Sequence, residues 1–125
     1  MPLKMMFFTN NPRFAQAAEI CRIDFVVIDL EIIGKLERQG HKDTRISHHS
    51  LQDIAPVREV LHQIPLMVRI NPIHAQSAHE IESALQQGAD ILMLPDFKTL
   101  AEIQTFLSLV RGRAKAYLLL ETKEA

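Results

Sequence analysis

One arginine interrupts an otherwise apolar run, Arg69 in LMVRIN, and no residue in this sequence asks more plainly for a chemical explanation. A guanidinium removed from water is costly unless it is paired or holds an anion. Two readings follow. Its fork of N–H donors matches a substrate carboxylate, or it forms a structural ion pair with Asp29 or Glu31. Those two acids close a second apolar run, FVVIDLE. Two residues apart, they face the same way along a strand. They can position a water or a metal shell, or they can satisfy Arg69 and nearby backbone. Asn71 stands two residues beyond Arg69 and joins it as a candidate substrate contact. Glu121 follows a third run, AYLLL. A carboxylate there suits a hard divalent cation, or it is a solvated or helix-capping acid.

The stretch from Ile32 to His49, IIGKLERQGHKDTRISHH, is long, charged and rich in histidine. Loops of that length are uncommon unless they are functional or disordered. His41, in RQGHKD, is the histidine kept as a candidate acid or base. The other five, His48, His49, His62, His74 and His79, read as surface residues. Lys35 and Arg38, with Arg45, make the loop basic, which suits an anionic substrate or plain solvation. No histidine pair has the helical spacing of a zinc protease, and no glycine pattern forms a phosphate loop. No GxSxG elbow is present.

These residues need elements that bring them together. Five apolar runs, Lys4–Phe8, Phe25–Leu30, Leu66–Ile70, Asp90–Leu94 and Ala116–Leu120, alternate with helical patterns. The runs are nearly continuous in hydrophobicity, as for strands buried on both faces of a parallel sheet. Helices are predicted over Pro12–Ile20, capped by Asn10 or Asn11, and over Ser50–His62. Two more are predicted over Ser77–Gln87, ended by Gly88, and over Thr99–Val110, opened by a capping box of Thr99 and Glu102. Alternation of this kind argues for βαβ units with right-handed crossovers. The expected fold is therefore α/β, a parallel (β/α) TIM-barrel-like domain over residues 1–125 with about five strands and four helices. A closed barrel takes about 250 residues, so a partial barrel lacking its C-terminal half is expected. In such a barrel the active site lies at the carboxyl ends of the strands. Every run here is followed there by polar groups: Thr9 to Asn11, Asp29 and Glu31, Asn71, Asp96, then Glu121 and Thr122.

Composition bounds the function. With 47% hydrophobic and 23% charged residues the chain is an ordinary globular sequence. A net charge of −1 suggests no nucleic-acid surface, and no run is long enough to span a bilayer. No signal peptide is expected. The single cysteine, Cys21, fits a reducing cytoplasm and reads as a buried thiol.

Together FVVIDLE, MVRINP, GADILMLP and LLLET, in this order and spacing, resemble the HpcH/HpaI aldolase and citrate lyase beta-subunit family, over the first half of its barrel. The resemblance implies a lyase that makes or breaks a carbon–carbon bond beside an enolate. It implies a 2-oxo acid or related small carboxylate as substrate and a divalent metal, Mg2+ or Mn2+. By that resemblance Arg69 binds substrate carboxylate and the enolate oxygen, and Glu121 ligates the metal. Asp29 and Glu31 match the acidic pair closing strand two. Ile32 departs from the pattern, since the family carries His or Asp there. The long loop matches neither well-known branch, and the second metal carboxylate is expected beyond strand five. A chain of this extent is expected to have little activity alone. Two alternatives are a half-barrel scaffold that associates as a homo-oligomer through its open edges and a flavodoxin-like binding domain.

Overall fold

The computed structural model describes residues 3–32 and 49–123. Lys35, Arg38 and His41, three of the candidate site residues, lie outside them. Five strands form one sheet: β1 (Met6–Phe8), β2 (Phe25–Asp29), β3 (Leu66–Arg69), β4 (Ile91–Leu94) and β5 (Lys115–Leu118). All neighbours pair in parallel and in sequence order. That order has no reversal point, which excludes the flavodoxin-like arrangement. It is the order of a (β/α) barrel opened into an arc. Among the described residues four α-helices lie between the strands: α1 (Pro12–Ile20), α2 (Ile54–Val60), α3 (Ser77–Gln86) and α4 (Leu100–Val110).

Local chemistry explains the helix ends. Asn11 caps α1, its side chain accepting the Arg13 N–H, and Pro12 takes the first turn, where no amide partner is needed. Thr99 accepts the Glu102 N–H at the start of α4. The Glu102 side chain reaches back one residue further than a capping box requires, to the Lys98 N–H. The expected single helix over Ser50–His62 is shorter and split. A 3-10 turn, Leu51–Asp53, precedes α2. Gly88 follows α3 at φ +106°, a conformation that favours glycine.

Alternate residues of the strands serve two faces. On the outer face Val26, Ile28, Leu66, Val68, Leu92 and Leu94 pack against Ala15 and Ala18 of α1, Ile54 and Val57 of α2, Ile81 and Ala84 of α3 and Phe106 and Val110 of α4. On the inner face Phe25, Val27, Met67, Ile91 and Met93 form a second cluster with Tyr117 and Leu119. Phe25 of β2 meets Tyr117 of β5 edge-to-face, with ring centroids 6.1 Å apart. In a flat sheet those strands would lie about 14 Å apart, three strand spacings. The sheet is therefore strongly curled about its inner face.

Burial corrects two expectations. β2, β3 and β4 are buried on both faces, but every residue of β1 is exposed and β5 is exposed or half-buried. Among the described residues these two are the edge strands of the sheet, each hydrogen-bonded to a strand on one flank. Cys21 is exposed rather than buried, because it is the C-cap residue of α1 and lies past the helix's packed face. Among the described residues no helix is long and apolar enough to cross a membrane.

Candidate active site at the carboxyl mouth of the sheet

β2 and β3 are in a register that sets Asp29 opposite Arg69. Paired positions of parallel strands share a face, so both side chains project from the inner side at its carboxyl end. There they form a bidentate ion pair: Arg69 Nε donates to Asp29 Oδ1 at 2.9 Å and Nη2 to Oδ2 at 2.6 Å. Asp29 is 2% exposed and the Arg69 side chain 16%. The guanidinium also stacks over the Phe8 ring of β1, 5.3 Å from its centroid. Burial opposes the charge on Arg69. The hydrogen bonds and charge of Asp29 outweigh that penalty, aided by Glu31 and Glu121, and raise its pKa above the ordinary value. A cation thus stands fixed at the mouth, one edge held by Asp29.

The acids beside it are ordered by backbone. Asp29 Oδ1 also accepts the Glu31 N–H at 3.2 Å, turning the chain as it leaves β2. Glu31 is fully buried. The Asp29 amide points away from β3 and donates to Nδ1 of His49 at 2.8 Å. An Nδ1 that accepts this bond places the proton of the neutral ring on Nε2. His49 is half-buried and part of the mouth, which corrects its reading as a surface residue. His74 is half-buried too, bridging Pro72 O and Ser77 Oγ at the turn after β3.

Asn71 is held differently from Arg69. Its backbone N–H and its Nδ2 donate to the two carboxylate oxygens of Glu80, at 3.1 and 2.6 Å. Its Oδ1 accepts the Ile32 N–H at 2.7 Å. Glu80 lies on the buried stripe of α3 with Ser77, Ile81 and Ala84. Burial pushes its carboxyl above the usual range, against the pull of the Asn71 donors and of His74. The sequence held one signal for Glu80, an acid four residues before Ala84 and three after Ser77, so that all three share one helix face.

Glu121 is exposed and stands one loop further round. Its Oε1 accepts the Asp96 N–H at 2.8 Å, tying the turn after β4 to the end of β5. Thr122 Oγ1 donates to Phe97 O and secures the same turn. Among the described residues no three of His, Cys, Asp and Glu are grouped to hold a metal ion. The site therefore brings together Asp29, Glu31, Arg69 and Asn71, with Glu121 within electrostatic reach of Arg69. It adds Phe8 and His49 at the mouth and, behind it on α3, Glu80, none of which was a candidate site residue from sequence. The arrangement fixes a largely buried cation against a buried carboxylate at the carboxyl end of the sheet.

No curated protein matches the sequence. Among solved structures the chain resembles citrate synthase SbnG, with a TM-score of 0.61 at 16% identity, covering 97% of this chain and 52% of that one. A variant of SbnG gives a TM-score of 0.55 at 18% identity, covering 92% of this chain and 44% of that one. The chain thus spans about half the length of these structures, and the likeness is one of fold. Residues 4–118 match the sequence pattern of the HpcH/HpaI aldolase/citrate lyase family. That match runs through β2 with its Asp29, β3 with its Arg69 and on into β5, so the strands that build the mouth are the family's own, and the chain belongs to the HpcH/HpaI aldolase/citrate lyase family.

Proposed function

We propose that this chain is part of a carbon–carbon lyase or aldolase that acts on a 2-oxo acid or related small carboxylate through an enolate. The observation that supports this reading is the fixed charge of Arg69 at the carboxyl mouth of the sheet. In cleavage, a base removes the substrate's hydroxyl proton and the carbon–carbon electron pair passes into the 2-oxo fragment as an enolate. The hydroxyl carbon leaves as a carbonyl compound. Negative charge on the enolate oxygen appears during that step, and a preoriented cation stabilises it more than it stabilises the substrate. Arg69 serves there, with Asp29 keeping the guanidinium charged and aimed. Asn71 is a second substrate contact, and Glu31 orders the floor.

Lys35 and Arg38 extend the positive field toward an anionic substrate, and His41 is the candidate acid or base in place of the family residue at Ile32. Family membership carries an expectation of Mg2+ or Mn2+. Glu121 offers one carboxylate toward it, which is short of a ligand set, so the described residues do not by themselves hold the ion. The isolated chain is accordingly proposed to be a slow catalyst.

Pyruvate methyl-proton exchange in D2O, with Mg2+ or Mn2+ present, tests both parts. Exchange above the protein-free rate is expected, and Arg69→Met is expected to lower it by about 100-fold, the scale for losing one oxyanion-stabilising group. Exchange indifferent to Arg69 would overturn the enolate reading. Aldol cleavage at about 1 s−1 or faster, the range of complete enzymes, would overturn the proposal that the chain alone is slow.

A second reading is favoured by β1, whose Met6, Phe7 and Phe8 are all exposed on an open edge. Exposed apolar edges promote pairing with another chain. On this reading the chain is a self-associating half-barrel scaffold. Sedimentation at low micromolar concentration is expected to show a homo-oligomer, and a stable monomer would count against it.

A further inference from the structure

We infer that Glu80 is a positioning residue of the mouth, acting through Asn71 to fix the chain as it leaves β2. The inference rests on the reading of the mouth as the active site and extends it to a helix residue outside the mouth.

Glu80 is 7% exposed and makes no salt bridge to Lys or Arg among the described residues. A buried carboxylate without a cation is expensive. Its neighbours on the stripe of α3 are Ile81, Ala84 and Ser77, so an apolar residue would pack there at lower cost. What the carboxylate alone supplies is two acceptor oxygens side by side. Both face donors of one residue, the backbone N–H and the Nδ2 of Asn71. That settles which way the Asn71 amide lies. With Nδ2 committed to Glu80, Oδ1 turns the other way and takes the Ile32 N–H at 2.7 Å.

Ile32 directly follows Glu31, whose own N–H is held by Asp29 Oδ1. The segment from Asp29 to Ile32 is therefore tied at two successive amides, one by the acid that holds Arg69 and one by Asn71. Glu80 governs the second tie from α3, through Asn71.

Glutamine is the discriminating substitution. It keeps the shape of Glu80 but replaces one acceptor with a donor. If its Nε2 faces the Asn71 side chain, that amide must flip and present Nδ2 to Ile32, and the tie is lost. If its Nε2 faces the Asn71 backbone N–H instead, that bond is lost and Asn71 shifts. Glu80→Met removes both acceptors while filling the same space.

Amide proton exchange and 1H–15N spectra of the 125-residue chain test this. In Glu80→Gln and Glu80→Met the Ile32 amide is expected to exchange about tenfold faster, the factor for one hydrogen bond lost in a local opening. Its proton resonance is expected to move upfield, while amides of β4 and α4 stay unchanged. Ile81→Val, a neighbouring cavity on the same helix, is expected to leave Ile32 unaltered. An Ile32 amide that keeps its exchange rate and shift in both Glu80 variants would overturn the inference. So would an equal change in Ile81→Val, which would make Glu80 merely structural. The readout involves no substrate, so failure here is separable from failure of pyruvate exchange.

Discussion

At the carboxyl end of the sheet the acids Asp29, Glu31 and Glu80 are buried, and Asp29 and Glu80 bind other side chains, the Arg69 guanidinium and the Asn71 amide. At the amino end the acids are half-buried or exposed, and each binds backbone N–H groups. One Glu19 oxygen accepts the N–H groups of His62, Gln63 and Ile64 ahead of β3. Asp24 accepts the Met5 N–H ahead of β1. Asp90 accepts the Leu66 N–H, joining the starts of β3 and β4, and pairs with Arg58. The same residue type thus has two uses. The amino end uses carboxylates to staple strand starts, at little desolvation cost. At the carboxyl end Asp29, Glu31 and Glu80 keep charge out of water, which costs stability, and Asp29 holds a largely buried cation in place. Stability gathered at one end and chemistry at the other is the division expected of this architecture.

The contrast can be broken most sharply at Asp29. Removing it leaves Arg69 as a mostly buried charge without its partner, so Asp29→Ala is expected to lower stability to urea by about 3–5 kcal/mol. The double variant with Arg69→Met is expected to recover most of that loss. A cost below about 1 kcal/mol would mean that Arg69 finds water or another anion, and the mouth would not differ from the base. A smaller effect is expected at Gly88, on the amino side. An added Cβ would lie 2.6 Å from Cγ of Arg58 and force a residue at φ +106°. Gly88→Ala is expected to cost about 1–3 kcal/mol in thermal unfolding and to displace Arg58 from Asp90. An unchanged melting temperature would show that this turn adapts.

The smallest effect concerns pH. Burial would raise the Glu19 pKa, but the three amide bonds and His62 win and lower it below the ordinary 4.5. A carboxyl whose folded pKa is depressed contributes stability that is whole above its unfolded pKa. That contribution fades as pH falls through the folded pKa. Because Glu19 is partly solvated, the contribution is expected to be under about 1 kcal/mol. Glu19→Gln is expected to flatten the acid limb of the stability profile below about pH 5. Identical limbs in the two proteins would remove Glu19 from the set of staples.

Much of this was legible without coordinates. Three continuous apolar runs marked β2, β3 and β4, because strands covered on both faces carry no alternating polar residues. Asn11, Thr99 and Gly88 marked helix ends because capping is local chemistry. The burial of β1 was misjudged for a physical reason. Its sequence is as apolar as that of β3, and only its place at the sheet edge exposes it. Cys21 was misjudged similarly, since a helix end that packs and one that turns away share the same short sequence.

What the sequence determined by itself is the order of the elements and the kinds of residue that meet at the carboxyl ends: an arginine, two acids, an asparagine and a glutamate. Periodicity and capping depend on near neighbours, so they survive in one dimension. Which of those residues pair was decided only by the tertiary structure. Register set Asp29 rather than Glu31 opposite Arg69. Helix packing brought Glu80 onto Asn71, and the tertiary fold set His49 against the Asp29 amide. Each of these contacts joins residues on different elements, and nothing in local propensity encodes how two elements are set against each other.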